Sequence, residues 1–136
     1  MRPAVLALGF IVASCGTPTE PADPVFQFNS RIIFGIRTLE TRVAVEVYGV
    51  DISGVFPTDL GYTLSGSLEL LSGHQLILTV KAIKDREAPA VRVQNYYVGR
   101  IIHLPRGEYD LQVFERVSDS PVGQSELAFH GTFRVD

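Results

Sequence analysis

The chain has 136 residues, of which 46% are hydrophobic and 20% are charged, and its formal net charge at pH 7 is −3. This length suits one domain, and the lack of a basic excess argues against a nucleic-acid partner. The single cysteine leaves no disulfide pair and no site of several thiolates within these residues. Because tryptophan is absent, Phe, Tyr, Val, Leu and Ile must fill the core.

The first fifteen residues have the pattern of a secretory signal. Arg2 gives a short basic start, residues 4–13 are an almost unbroken apolar run, and Ser14 and Cys15 close it. Secretory signals combine a basic start, about 7–15 apolar residues and small residues before the cleavage site. A membrane-spanning helix needs about 20 apolar residues, so this run is too short to be one. The alternatives are an ordinary cleaved signal that carries a cysteine and a buried N-terminal strand.

This pattern resembles the lipobox-type signal peptide of bacterial lipoproteins. The resemblance implies that residues 1–14 are removed and that Cys15 becomes a lipidated first residue, with palmitate among its acyl chains. Each buried acyl CH₂ contributes about 0.8 kcal/mol, so several chains would anchor the protein firmly to membrane lipid. In that family an aspartate after the cysteine often retains the protein at the inner membrane. Gly16 stands there instead and favours the outer membrane, at its periplasmic or surface face.

Residues 15–24 are predicted to be the lipidated cysteine and a short flexible tether. Three of residues 16–24 are proline, which favours an extended chain with few apolar contacts. At about 3.1 Å per residue the tether would reach on the order of 25–30 Å. The folded domain, residues 25–136, is therefore expected to lie close to the membrane.

Apolar and polar residues alternate along most of residues 25–136, which is typical of strands with one buried face. The alternating apolar residues are Phe26, Phe28, Ile32, Phe34 and Ile36; Val43, Val45 and Val47; Tyr62, Leu64, Leu68 and Leu70; Leu76, Leu78, Val80 and Ala82; Tyr109, Leu111 and Val113; and Leu127, Phe129, Phe133 and Val135. About seven short strands at this spacing predict an all-β sandwich of antiparallel strands.

Two segments depart from this alternation. Residues 91–104 change phase, because Val93 lies on one parity and Val98 and Ile102 lie on the other. This change predicts a β-bulge near residues 95–97 or a strand that changes sheets. Residues 49–61 are predicted to be the longest connection, with a loop at residues 51–59.

Turn residues separate the remaining segments. Residues 71–74 predict a tight hairpin and residues 105–107 a second turn. Residues 84–89 predict a charged loop, and residues 118–123 predict a longer hairpin loop.

Residues 104–113 read Leu-Pro-Arg-Gly-Glu-Tyr-Asp-Leu-Gln-Val. They resemble the Leu-Pro-x-Gly-x-Tyr-x-Leu-x-Val run of immunoglobulin-like and transthyretin-like domains. The resemblance implies an immunoglobulin-like β-sandwich in which Tyr109 forms a tyrosine corner, with its ring inward and its hydroxyl bonded to a backbone group upstream. This fold hosts many unrelated functions and therefore names none.

No local pattern predicts a catalytic residue, a metal ligand or a cofactor. His74, His103 and His130 have no partner at metal-ligand spacing and are expected to be surface histidines. No Gly-x-Ser-x-Gly nucleophile motif occurs, so we expect a protein that is not an enzyme. A site assembled from distant strands is the alternative.

Four aromatic residues are candidates for a binding surface. Phe56 lies in the predicted loop, where it could contact a ligand or fold back over the core. Phe114 is off the core parity of its strand, and one of Tyr96 and Tyr97 must point outward. Exposed aromatic residues can anchor a partner or cover a neighbouring loop.

We therefore expect a lipid-anchored cell-envelope protein that acts as a non-catalytic binding or accessory module. Its expected partners are membrane lipid and an envelope protein. One alternative is a structural subunit of an envelope complex that pairs through a sheet edge. The other is a small envelope enzyme or metal-binding protein with a site built from distant strands.

Overall fold

The fold is a β-sandwich of two layers. The computed structural model describes residues 23–34, 40–118 and 125–136. Its strands are β1 (Val25–Ile33), β2 (Arg42–Glu46), β3 (Gly49–Asp59), β4 (Tyr62–Leu71), β5 (Gln75–Lys84), β6 (Arg92–Ile102), β7 (Gly107–Val117) and β8 (Ser125–Val135). Within these three stretches, no helix is both long and apolar enough to cross a bilayer. The predicted signal, Cys15, most of the tether and most of the loop at residues 118–123 lie outside the described residues.

Each layer is a four-stranded sheet. Sheet A has the strand order β1-β6-β3-β2 and sheet B has the order β4-β5-β7-β8. All neighbouring strands are antiparallel except β5 and β7, which run parallel. Parallel neighbours need a crossover connection, and here the chain makes it through β6 in the other sheet. The predicted all-β sandwich is confirmed, but it has eight strands in the described residues and one parallel pair.

The core lies between the inward faces of the two sheets. Fully buried side chains come from the four central strands: Val50 and Ile52 of β3, Leu76, Leu78 and Val80 of β5, Tyr97 and Ile101 of β6, and Leu111 and Val113 of β7. Burial of one such side chain stabilises the fold by about 1.5–3 kcal/mol. The inward parity predicted for β5 and β7 is therefore correct.

The prediction of a long connection at residues 49–61 is wrong, because residues 49–59 form β3, a central strand of sheet A. Two residues in this segment resemble turn residues but have other roles. Gly54 leaves room for the ring of Tyr97, since a Cβ there would lie 2.6 Å from the Tyr97 hydroxyl oxygen. Pro57 lies beyond Ser53, the last residue of β3 that pairs with β2, where a ladder hydrogen bond on that side is not needed.

The predicted bulge at residues 95–97 is also absent, because β6 pairs in unbroken register with both β1 and β3. Its inward positions are Asn95, Tyr97, Gly99 and Ile101, and Val98 points outward. Because two of these inward positions are Asn and Gly, the inward face of β6 is not continuously apolar. A prediction based on apolar residues alone therefore misses the regular alternation of this strand. The register shift lies instead between β7 and β8, where Val113 pairs with Phe129 and Phe114 pairs with Leu127.

Strand β1 covers the core over its first half only. Phe26 and Phe28 are half-buried and pack against the core. Ile32 and Phe34 share their parity but are 37% and 85% exposed, so the inward prediction for these two residues is wrong. Ile36 lies outside the described residues.

The turn between β6 and β7 carries the predicted tyrosine corner contact. The Tyr109 ring is buried, and its hydroxyl donates a hydrogen bond of 2.7 Å to the backbone carbonyl oxygen of Pro105. The ring stacks between His74, at a centroid distance of 4.6 Å, and Phe133, at 5.5 Å. Because β6 belongs to sheet A and β7 to sheet B, this contact holds the turn that joins the two layers.

Tyr109→Phe is expected to lower the free energy of unfolding by about 1 kcal/mol, because it removes one partly buried hydrogen bond and leaves the ring packing intact. Urea unfolding monitored by circular dichroism measures the change. Tyr96→Phe is the matched control, since the Tyr96 ring lies on the outer face of sheet A. Equal unfolding free energies for Tyr109→Phe and the wild type would contradict a stabilising corner.

Candidate functional site

The four aromatic candidates do not form one surface. Phe56 is 7% exposed and folds over the core, which is the alternative given for it, and Tyr97 is fully buried, so that Tyr96 is the tyrosine of the pair that points outward. Successive residues of a strand point to opposite faces, so Tyr96 lies on the outer face of sheet A, where the Arg31 guanidinium is 5.6 Å from its ring centroid. Phe114 is half-buried on the outer face of sheet B. Both sheets therefore separate Tyr96 from Phe114.

The three histidines lie in turns or on the outer face of a sheet. His74 and His103 occupy turns at positive φ, 59° and 64°, a region in which histidine is enriched among non-glycine residues. His130 lies on the outer face of sheet B, with its Nε2 2.9 Å from Asp110 Oδ1. In the described parts of the chain, no group of three or more His, Cys, Asp and Glu side chains could hold a metal ion.

Asp51, at the start of the segment predicted as a loop, is bound by other side chains. Arg100 lies directly opposite it on β6 and donates hydrogen bonds of 2.9 and 3.1 Å to its two carboxylate oxygens. This contact lowers the pKa of the Asp51 carboxyl. The Arg100 guanidinium also lies 4.4 Å from the ring centroid of Tyr48, whose hydroxyl bonds Asp51. Asp51 is thus part of a closed ion pair on the outer face of sheet A.

Two clefts of similar volume lie at the two ends of the sandwich, one of about 490 Å³ and one of about 500 Å³. The first lies beside the buried polar residues Thr58 and Asn95 and is the candidate binding site. It exists because β2 pairs only with Gly49 to Ser53 of β3. The rest of β3 is left without a neighbour on that side, facing the ends of β7 and β8. We call this space the distal cleft; its lining includes Phe56, Thr58, Asp59, Arg92, Glu115 and Glu126.

Glu115 is the central polar group of the distal cleft. Its Oε2 accepts a hydrogen bond of 3.1 Å from the hydroxyl of Tyr97, which reaches across the interior from sheet A. Tyr97 is held in place because its ring stacks on Phe28 at a centroid distance of 5.9 Å. The contact therefore places a carboxyl group at a defined position where both sheets meet the cleft.

Burial raises the pKa of the Glu115 carboxyl, the hydrogen bond from Tyr97 opposes this shift, and the charge of Glu126 adds to it. Glu126 is directly opposite Glu115 in the β7–β8 register. Burial and the negative charge of Glu115 raise the pKa of the Tyr97 hydroxyl, so that it keeps its proton and remains a donor at neutral pH. A titratable group with a shifted pKa in a cleft is a candidate functional group.

The wall of the cleft contains a second buried polar contact. Asn95 Nδ2 donates to the backbone carbonyl oxygen of Phe56 at 2.9 Å and lies 2.8 Å from the Thr58 hydroxyl oxygen. Thr58 and Asn95 are the buried polar residues of the described chain, and both lie beside this cleft. At the rim, Arg92 and Asp59 approach to 3.4 Å, but both are largely exposed and the pair contributes little to stability.

The arrangement offers fixed hydrogen-bond donors and acceptors next to two facing carboxyl groups. Such a site suits a polar ligand or a basic side chain of a partner. Sequence reasoning missed Glu115 and Asn95 because it sought motifs and apolar parity. The available signal was that Glu115 continues the inward parity of Leu111 and Val113.

Comparisons of the chain with protein-family models, curated proteins and solved structures found no match. The function is therefore argued from the residues and their geometry.

Glu115→Gln is expected to raise the melting temperature at pH 7 and to change it less at pH 4. The raised pKa means that Glu115 stabilises the fold fully below its unfolded pKa of about 4.3 and loses this contribution as the pH rises through the folded pKa. Glutamine cannot ionise and can still accept the Tyr97 hydrogen bond. Thermal unfolding between pH 4 and pH 8 measures the difference.

Glu69→Gln is the control, because Glu69 is exposed on the outer face of sheet B. If Glu115→Gln changes the melting temperature equally at pH 4 and pH 7, ionisation of Glu115 does not destabilise the fold.

Proposed function

We propose that the protein is an exported lipoprotein of the cell envelope, anchored to the membrane through an acylated Cys15 and joined to it by a short tether. Its sandwich acts as a non-catalytic binding or accessory module. The sequence of residues 1–15 and the short proline-rich tether support the anchor and favour the outer membrane.

The position of the tether relative to the distal cleft is the observation that carries the proposal. The tether leads into Val25, which pairs with Ile102 at the last residue of β6. The distal cleft lies at the other end of β6, where Arg92 pairs with Asp59. A strand of this length spans roughly 33 Å at about 3.3 Å per residue. A protein anchored at Cys15 would thus present the distal cleft away from its own membrane.

The chemistry of the cleft favours an envelope protein as the partner. Glu115 and Glu126 face each other, and a basic or hydrogen-bonding side chain of a partner would relieve the repulsion between them. Binding of this kind needs no cofactor and no reacting group.

A second candidate function is that of a structural subunit which pairs through one edge of sheet B. Strand β4 forms this edge, and it pairs with β5 over ten residues without a register shift. It contains no proline and one charged residue, Glu69, whereas edges that avoid pairing usually carry proline, lysine or a bulge. An extended segment of another chain could therefore add to β4.

Cys15→Ala is expected to move the protein from the membrane fraction to the soluble fraction and to abolish incorporation of labelled palmitate, because no other lipid attachment site is proposed. Cell fractionation and metabolic labelling measure the two effects. Thr17→Ala, in the tether, is the control and should keep both properties. Unchanged membrane association of Cys15→Ala would refute the anchor.

Cross-linking in cells tests what the domain contacts. A photoreactive amino acid at Pro57, on the rim of the distal cleft, should give a reproducible adduct with an envelope protein. The same probe at Arg106, at the tether end, is the control. Adducts at Ser67 on β4, with none at Pro57, would favour the subunit instead. Adducts at Arg106 alone would contradict both candidates.

A further inference from the structure

Two cations lie side by side on the outer face of sheet B. Lys81 of β5 and Arg116 of β7 are direct partners in the parallel register. Ser65 of β4 is opposite Lys81, and Ser125 of β8 is opposite Arg116. The four residues form one row across the sheet, which we call the basic row. Every side chain in it can donate hydrogen bonds, and neighbouring strands are about 4.8 Å apart.

Neither cation of the basic row has a carboxylate within ion-pair distance in the described residues. Like charges directly opposite each other destabilise a sheet, so an anion bound between the two cations would relieve their repulsion. The adjacent row across the sheet, which holds Ser67, Thr79, Phe114 and Leu127, contains no carboxylate.

Arg116 supplies a second and independent observation. Its Nε is shielded from solvent and has no hydrogen-bond partner in the described structure. A buried N–H without a partner costs about 1–3 kcal/mol, and such a group in a native protein is commonly explained by a bound water or ion. The missing partner of this N–H and the missing counter-charge of the row would both be supplied by one oxyanion.

We propose that the basic row binds the phosphate group of an organic phosphate. Lys81 and Arg116 hold the phosphate oxygens, and the flanking serines add hydroxyl donors. Arginine and lysine both bind phosphate well, and the guanidinium can donate two parallel hydrogen bonds. The apolar residues of the adjacent row, Phe114 and the 52% exposed Leu127, offer a surface on which the organic part of the ligand packs.

The position of the basic row separates it from the anchoring membrane. Lys81 lies three residues before Lys84, which pairs with Tyr62 beside the distal cleft. The row is therefore in the half of the domain remote from Val25, the residue that follows the predicted tether. This placement favours a soluble phosphate ester over the lipid headgroups of the same membrane. Arg116 and Ser125 also contribute to the lining of the distal cleft. The inference rests on the pairing of Lys81 with Arg116 and does not depend on the partner proposed for that cleft.

Nuclear magnetic resonance titration of the full mature protein in nonionic detergent tests the site. Inorganic phosphate should give saturable shifts of the amides of residues 79–83 and 114–117 with a millimolar dissociation constant. Sodium chloride at the same ionic strength is the reference for screening. Lys81→Gln and Arg116→Gln should each weaken phosphate binding by roughly tenfold or more, because a charge-assisted contact is lost. Arg106→Gln, an exposed arginine at the tether end, should bind as the wild type does.

Phenyl phosphate tests the apolar part of the site. It should bind more tightly than inorganic phosphate, and Leu127→Ala should reduce this advantage without changing the affinity for inorganic phosphate. Because Leu127 is half-exposed on the edge strand β8, the substitution should leave the fold intact.

Four outcomes would overturn the proposal. They are identical shifts in phosphate and chloride, phosphate binding that survives in both Lys81→Gln and Arg116→Gln, an equal loss in Arg106→Gln, and shifts caused only by vesicles of phosphatidylglycerol. A change in the membrane fractionation of Cys15→Ala would not bear on this site, so failure of the anchor and failure of the basic row can be distinguished.

Discussion

The hydrogen bond between Tyr97 and Glu115 is the interaction on which the organisation of this sandwich depends. It crosses the interior from sheet A to sheet B and ends at the distal cleft. Its geometry requires Gly54 beneath the tyrosine ring, since a side chain there would collide with the hydroxyl. It also brings a carboxyl group into a partly buried position, where desolvation raises the pKa of Glu115. Tyr97 thus belongs to the core through its ring and to the candidate site through its hydroxyl.

The two ends of the domain differ in their physical chemistry. At the end where β1 begins, the buried ring of Tyr109 and its hydrogen bond to Pro105 close the turn between the sheets. At the distal end, Thr58, Asn95 and Glu115 place polar groups where the apolar core ends. Buried polar groups stabilise little when satisfied and cost much when they are not. The polar groups of the distal end are therefore available to a partner's polar side chains. The opposite end also has a cleft, lined by Tyr48, His103 and Val135 among others, but the described residues that line it include no buried polar residue.

Sequence alternation predicted most strands because burial on one face imposes a period of two. It predicted the inward faces of β5 and β7, and the residues around Tyr109 predicted the corner. It failed for the exposed apolar residues Ile32, Phe34 and Leu127, of which Leu127 lies at the register shift between β7 and β8. It also failed where inward positions are not apolar. Gly54 and Pro57 made β3 resemble a loop, and Asn95 and Gly99 made β6 resemble a bulged strand. In both strands the missing apolar side chain is explained by a contact from another strand, and single-strand patterns hold no information about such contacts.

By itself, the sequence determined the all-β class, the parity of the core in the regular strands and the closed turn at Tyr109, and its first fifteen residues motivate the proposal of an anchor. Only the tertiary structure decided which strands are neighbours. The parallel pairing of β5 with β7 places Lys81 beside Arg116, and the packing of the sheets places Tyr97 against Glu115. The physical reason is that alternation records whether a side chain is buried, whereas a site depends on which distant side chains share one location. That second property arises from strand order and sheet packing, which local periodicity does not encode.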